Sequence, residues 1–285
     1  MISDITLGQF FPGYSPLHRL DPRTKLIMAT LFIVAVFLAN NPLSFFVVTH
    51  IVFVMILVSR ISFKVILKSI KPIVFILIFT SLLNLFMTTG DSEPFKLWIF
   101  EIYEEGIYRA IFMSLRVILL IIGTSMLLTY TTSPISLTDG IESLLSPLKK
   151  IHVPVHTFAM MMSIALRFIP TLVEETEKIM NAQKSRGADF SSGGLIKRAK
   201  ALIPILIPLF VSSFKRADEL ACAMECRCYR GDVNRTKLVK LEYRARDIFA
   251  ILFALLFLGL IIFIKVLPYN MLPNLPFIDF IFYKI

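Results

Sequence analysis

The sequence Gln183-Lys184-Ser185-Arg186-Gly187 closes one long helical pattern, and Ala223-Met224-Glu225-Cys226-Arg227-Cys228-Tyr229 closes a second. Both lie in a basic stretch, residues 132–246, that holds 18 Lys and Arg against 11 Asp and Glu. An arginine with small neighbours at a helix end can enter a groove on a partner and donate forked hydrogen bonds there. The two tips, Ser185-Arg186-Gly187 and Cys226-Arg227-Cys228, therefore predict a surface that binds a cytosolic partner.

The tips end two helices, which the sequence predicts at 155–185 and 196–229. Gly187 suits the left-handed residue that follows a helix. Cys228 takes that conformation less readily, which favours Gly231 as the residue that ends the second helix, with a slightly longer tip. A narrow stripe of mostly small residues near the end of the second helix predicts a close crossing with the first. Its members are Ala217, Leu220, Ala221 and Met224.

Apolar segments flank the basic stretch on both sides. The chain is 56% hydrophobic with a mean hydropathy of +0.76, well above the values of soluble domains. A helical span needs about 20 apolar residues, and five segments reach or approach that length. They are residues 26–41, 43–59, 72–88, 108–131 and 248–267. We expect an all-α integral membrane protein with a four-span region at 1–131, a cytosolic region at 132–246 and a last span with its tail at 247–285.

The placement of charge predicts how the chain crosses the membrane. The net charge is +10, yet the connection at 89–107 is acidic and has Lys96 as its only Lys or Arg. Cytoplasmic loops retain Lys and Arg, so the N-terminus is expected in the cytoplasm and the C-terminus outside. A basic charge that anchors a multi-pass protein in its lipid bilayer also argues against a nucleic-acid partner.

The first span begins with Asp21-Pro22-Arg23-Thr24-Lys25. Asp21 is predicted to cap the helix and Pro22 to occupy its first turn, where a missing N–H is tolerated. Arg23 and Lys25 are interpreted as anchors at the inner membrane surface. Arg116 lies inside the fourth span, and we predict a structural role for it, either paired or reaching a polar cavity.

Catalytic chemistry has little support in the sequence. His152 and His156 have a metal-compatible spacing, but no glutamate follows the first histidine as it does in zinc peptidases. Cys222, Cys226 and Cys228 match no standard metal pattern, and a glycine-rich phosphate loop is missing. We therefore predict no bound cofactor or metal. A membrane-embedded enzyme using the two histidines, or a self-contained carrier, stays open as the alternative.

Taken together, these residues resemble the T component of energy-coupling factor transporters, prokaryotic importers of the ABC class. The resemblance covers nearly the whole chain: the Asp21–Lys25 motif, the pattern of spans and both arginine tips in order. The family carries two Ala-Arg-Gly motifs, each at the end of a long cytosolic coupling helix. Ser185-Arg186-Gly187 matches the first with one replacement, and Cys226-Arg227-Cys228 matches the second less well.

The resemblance implies a non-catalytic coupling subunit in the prokaryotic cell membrane. In that family, two cytosolic ATPase subunits bind ATP and Mg²⁺, and each offers a groove to one arginine tip. ATP binding and hydrolysis move the tips, and the coupling helices pass this motion to a separate membrane subunit, the S component, which binds a vitamin or metal ion. The resemblance implies that this chain itself binds neither ATP nor the substrate tightly.

Overall fold

The computed structural model of the chain describes residues 10–88, 95–97, 100–188, 190, 194–231 and 241–266. Helices dominate this part of the chain and confirm the all-α prediction. The α-helices are α1 (Pro22–Leu38), α2 (Pro42–Ser59), α3 (Phe63–Ile70), α4 (Val74–Met87), α5 (Glu104–Thr124), α6 (Pro134–Leu144), α7 (Val155–Ser185), α8 (Leu195–Cys226) and α9 (Ala245–Val266). Short 3₁₀ segments occupy Lys71–Ile73 and Ser146–Ile151, and a π-helical segment, Ser125–Thr129, continues α5.

A two-stranded antiparallel hairpin interrupts the connection between α4 and α5. It consists of β1 (Phe95–Leu97) and β2 (Phe100–Ile102), with Lys96 paired to Glu101 across the hairpin. The sequence alone does not predict this hairpin. Strands of three residues are too short for a period-2 pattern to separate from an irregular loop.

Five helical segments in the described ranges are long and apolar enough to cross a membrane. They are Pro42–Ser59, Phe63–Met87, Glu104–Thr129, Val155–Ser185 and Ala245–Val266. The chain is thus a multi-pass membrane protein, as predicted. The set differs from the predicted spans in one member: α1 has 17 residues and is shorter than all five, whereas α7 qualifies through its apolar first half. The cytosolic placement of residues 132–246 stays a prediction.

The described residues divide into two compact units, one formed by 10–140 with 241–266 and the other by 141–231. In the first unit, α1 packs against α9 and α5, and α5 also packs against α2 and α4. The rings of Phe32 and Phe257 stack with centroids 6.4 Å apart. A Cβ added at Gly123 would lie 2.3 Å from the ring of Phe32. Glycine is therefore what allows α5 to approach α1 this closely.

In the second unit, α7 packs along α8. One side of α8 is partly buried at intervals of three or four residues, the spacing of a single helical face. The opposite side leaves large apolar side chains exposed, among them Ile207, Phe210 and Phe214, which are 60%, 67% and 59% exposed. Such a continuous apolar surface is typical of contact with lipid or with another protein.

Candidate functional site: two arginine helix tips

The first tip ends α7 in a Schellman motif. Gly187 has a φ of +85°, the left-handed conformation that closes a helix. Its N–H donates to the carbonyl of Lys184 at 2.9 Å, and the N–H of Ala188 donates to the carbonyl of Gln183 at 3.0 Å. Arg186 is the C-cap residue, one position before the turn. The motif holds the backbone of Arg186 at the extreme end of the helix.

The second tip repeats this geometry with a different sequence. Cys228 has a φ of +56° and takes the left-handed position itself. Its N–H donates to the carbonyl of Glu225 at 2.8 Å, and the N–H of Tyr229 donates to that of Met224 at 3.0 Å. Arg227 is again the C-cap residue. The expectation that Gly231 ends this helix and lengthens the tip is wrong, because the two Schellman hydrogen bonds hold Cys228 in a conformation that its side chain disfavours.

Both arginines are exposed at the surface of the chain. Ser185, Arg186 and Gly187 are exposed, and so are Cys226, Arg227 and Cys228. Within the described ranges, neither guanidinium has a hydrogen-bond or ion-pair partner. An arginine fork with small or narrow neighbours and no internal partner keeps its full donor capacity for a partner protein.

A polar contact joins the two helices on the way to their tips. Glu175 of α7 accepts a hydrogen bond from the Ser212 hydroxyl at 2.5 Å and one from Arg216 Nη2 at 2.9 Å, both on α8. Its two carboxylate oxygens are each used once, so the contact fixes the register of α7 against α8. The sequence does not predict this contact, because charged residues on both helices are numerous and their pairing depends on how the helices cross.

The predicted crossing stripe is only partly covered in the structure. Leu220 and Met224 are half-buried, whereas Ala217 and Ala221 are exposed. A close crossing through the two alanines thus stays a prediction.

The start of α1 has the predicted cap and an unpredicted buried lysine. Asp21 accepts a hydrogen bond from the Arg23 N–H at 2.9 Å, and Pro22 is the first helical residue. Lys25, however, is only 2% exposed, and its Nζ donates to the carbonyl of Thr131 at 2.7 Å and to Thr132 Oγ1 at 3.2 Å. The interpretation of Lys25 as a surface anchor is wrong, since its ammonium group ties α1 to the end of the α5 region.

Asp247 completes this cluster from the far end of the chain. Its Oδ1 accepts from the Asp21 N–H at 2.8 Å, and its Oδ2 accepts from the Arg244 N–H at 2.9 Å. Arg23 is partly buried, with its guanidinium carbon 5.3 Å from the centroid of the Tyr243 ring. We call Asp21, Lys25 and Asp247 the buried polar cluster; it joins the starts of α1 and α9.

Arg116 has the structural role predicted for it. Its Nη2 donates to the carbonyl of Ala39 at 2.7 Å and to Asn40 Oδ1 at 3.2 Å. Ala39 is the C-cap of α1, so the guanidinium satisfies a carbonyl at a helix end, where a positive charge is favourable.

The two histidines considered for catalysis have different surroundings. His156 Nδ1 lies 2.9 Å from Glu142 Oε1, with both side chains largely buried. His152 is exposed and has a φ of +61° where the 3₁₀ segment ends. In the part of the chain that the structure describes, no three His, Cys, Asp or Glu side chains are grouped to hold a metal ion.

Comparisons with known proteins show the family of this chain. A family model described as cobalt transport protein (CbiQ) matches residues 13–238, which is more than half of the chain. The energy-coupling factor transporter transmembrane protein of Clostridium kluyveri is 54% identical over 256 residues, covering 90% of this chain and 94% of its own length. The chain belongs to the family of energy-coupling factor transporter transmembrane proteins.

Other members of the family are similar over comparable lengths. The Brevibacillus brevis protein is 54% identical over 247 residues, which cover 87% of this chain and 93% of that protein. The Bacillus subtilis protein is 48% identical over 265 residues, which cover 93% of this chain and all of that protein. The residues matched by the family model include both arginine tips, and these similarities confirm the resemblance drawn from the sequence.

Proposed function

We propose that this chain is the non-catalytic coupling subunit of an energy-coupling factor importer. Arg186 and Arg227 each dock into a groove on one of two cytosolic ATPase subunits, which bind ATP and Mg²⁺. The observation that supports this best is the pair of matching Schellman ends, each of which presents an exposed arginine at the end of a helix of more than 30 residues.

The length of the two helices and the contact between them explain how docking of the ATPase subunits moves both helices. A helix of 31 residues is about 46 Å long at about 1.5 Å per residue, so a small displacement at its tip moves its other end as well. The Glu175 contact with Ser212 and Arg216 couples the two helices between the tips and their apolar halves. Movement of one ATPase subunit therefore changes the position of both helices.

The exposed apolar side of α8 is the surface that we assign to a separate substrate-binding membrane subunit. Ile207, Phe210 and Phe214 lie on this side, and burial of exposed apolar surface drives association of this kind. The cargo, a vitamin or a metal ion, is then held by that subunit. We place the N-terminus in the cytoplasm of a prokaryotic cell, because the basic stretch at 132–246 would then be on the ATPase side.

Co-purification from native membranes tests the assignment. ATPase subunits and a small membrane protein should co-purify with the tagged chain. Arg186→Ala and Arg227→Ala should each weaken retention of the ATPases, because losing a buried, hydrogen-bonded charge at an interface costs about 2–5 kcal/mol. Lysine at either position should rescue only in part, since an ammonium group lacks the guanidinium fork.

Two neighbouring cations provide matched controls. Lys184 precedes Arg186 and Arg230 follows Arg227, and both are exposed. Their replacement by alanine removes the same charge from the same end of the helix but leaves the cap arginine in place, so retention should stay close to wild type. If all four variants lose ATPase retention equally, the tips act only as a general basic surface. If no variant loses ATPase retention, the proposed docking is wrong.

A further inference from the structure

A pocket of about 560 Å³ lies within the unit formed by 10–140 and 241–266. It is lined where the short turn between α1 and α2 meets the first half of α5. Arg109, Arg116, Tyr108 and Asn41 give it polar walls, and Phe45 and Phe112 contribute apolar surface. None of the lining residues in the described part of the chain carries a carboxylate, so these residues combine positive charge with an apolar wall.

Arg116 has donor capacity that its role at the end of α1 does not use. Nη2 is occupied by Ala39 and Asn40, but Nη1 has only a 4.0 Å contact with the sulfur of Met113. Nε is buried and has no partner among the described residues. The guanidinium also lies 5.4 Å from the centroid of the Phe45 ring, which holds its plane in place. A partly buried guanidinium with unused N–H groups is a binding group for an anion.

Arg109 supplies the second charge. It lies seven residues before Arg116 and on the same side of α5, since seven residues are close to two helical turns, a separation of about 10 Å. Arg109 is exposed and has no hydrogen-bond or ion-pair partner in the described ranges. Glu105 lies one turn before Arg109, outside the pocket lining, and makes an interaction of its own.

The pocket lies at the end of the membrane helices, and this position indicates the type of ligand. The three residues between α1 and α2 turn the chain back, so they lie at the end of the apolar layer. Arg116 contacts this turn, and the apolar wall formed by Phe45 and Phe112 belongs to α2 and α5, both helices with membrane-span character. A ligand with a phosphate at the surface of the bilayer and an acyl chain below it matches both parts of the pocket.

We propose that this pocket binds one anionic phospholipid, with its phosphate between Arg109 and Arg116 and an acyl chain against Phe45 and Phe112. Arginine forks match the oxygens of a phosphate. With the N-terminus in the cytoplasm, the site belongs to the outer leaflet. The proposal does not depend on docking of the ATPases.

Native mass spectrometry of the full chain tests the proposal, with phosphatidylglycerol, phosphatidylcholine and inorganic phosphate as probes. We expect one retained phosphatidylglycerol per chain, much weaker retention of phosphatidylcholine and no displacement by inorganic phosphate. Arg109→Gln should weaken retention about tenfold, the loss of one charge-assisted hydrogen bond. Met113→Trp should abolish it by filling the pocket while both arginines remain. Arg116 is left unchanged because its loss would also expose the end of α1.

Lys64→Gln is the matched control, because Lys64 is an exposed cation on α3, outside the pocket lining. It should leave lipid retention at the wild-type level. Three results would each overturn the proposal. They are equal retention of the two lipids, unchanged lipid retention in Arg109→Gln and Met113→Trp, and a loss of retention in Lys64→Gln equal to that in Arg109→Gln. Competition by inorganic phosphate at the same site would also overturn it, by assigning the pocket to a free anion.

Discussion

The buried polar cluster and the arginine tips use their cations in opposite ways. Lys25 is 2% exposed, and its ammonium donates to two acceptors near the end of the α5 region. Arg186 and Arg227 are exposed, and the described residues offer neither of them a partner. The first cation therefore contributes to the fold, whereas the other two contribute nothing comparable to it. A charge that the fold does not use is available for a partner protein.

The largest effect on the fold is expected from Lys25→Met. The methionine fills a similar volume but leaves the Thr131 carbonyl without its donor, and it removes the ammonium group from the Thr132 hydroxyl and the His18 carbonyl. Unsatisfied buried groups cost about 1–3 kcal/mol each, so the free energy of unfolding should fall by about 3 kcal/mol. Chemical denaturation of the purified chain in detergent measures this change.

Lys64→Met is the control for Lys25→Met, since the Lys64 side chain is exposed and surface substitutions stay within about 0.5 kcal/mol. Similar stability losses in the two variants would show that the buried polar cluster has no special role in the fold.

A smaller effect is expected from exchanging the residues that end the two long helices. Cys228→Gly should stabilise the second tip by about 1 kcal/mol, and Gly187→Cys should destabilise the first by a similar amount, because left-handed backbone is costly for residues with a Cβ. A Cβ at Gly187 meets no heavy atom of the described residues within 4 Å, so the expected cost there is conformational. Amide hydrogen exchange in the last helical turn should become about fivefold slower in Cys228→Gly and about fivefold faster in Gly187→Cys. Exchange that changes in the same direction in both variants would contradict the matched geometry of the two helix ends.

The smallest effect concerns the contact between α7 and α8. The Arg216 and Glu175 side chains are 38% and 21% exposed, and ion pairs near the surface contribute little to stability because water screens them. A double-mutant cycle with Glu175→Gln and Arg216→Met should give a small, favourable coupling energy. A value of zero would mean that the helices are held together by their apolar contacts alone.

The elements of this fold were largely predictable, because apolar length and helix-ending residues are local signals. The helix predicted at 155–185 has those bounds in the structure, and the helix predicted at 196–229 is found at Leu195–Cys226. The cap at Asp21 followed from its position before Pro22, since capping depends on residues that are adjacent in sequence.

The features that could not be predicted depend on contacts between distant residues. Asp21 meets Asp247 across 226 positions, and the sequence around either residue says nothing about the other. Lys25 directly precedes the apolar segment at 26–41, a position that fits a surface anchor equally well. Only the packing of α1 beside α5 decides its burial. The left-handed Cys228 violates a residue preference that the two hydrogen bonds of the Schellman motif overcome.

The most direct test of the central claim measures folding and assembly in the same Arg186→Ala/Arg227→Ala preparation. Because the fold does not use these cations, the free energy of unfolding of the isolated chain should change by less than about 1 kcal/mol, the usual limit for a charge at an exposed helix end. Affinity for the ATPase subunits should fall at least about a thousandfold, since two separate losses of about 2 kcal/mol or more add. Unchanged affinity, or a loss of affinity matched by an equal loss of folding stability, would contradict the claim.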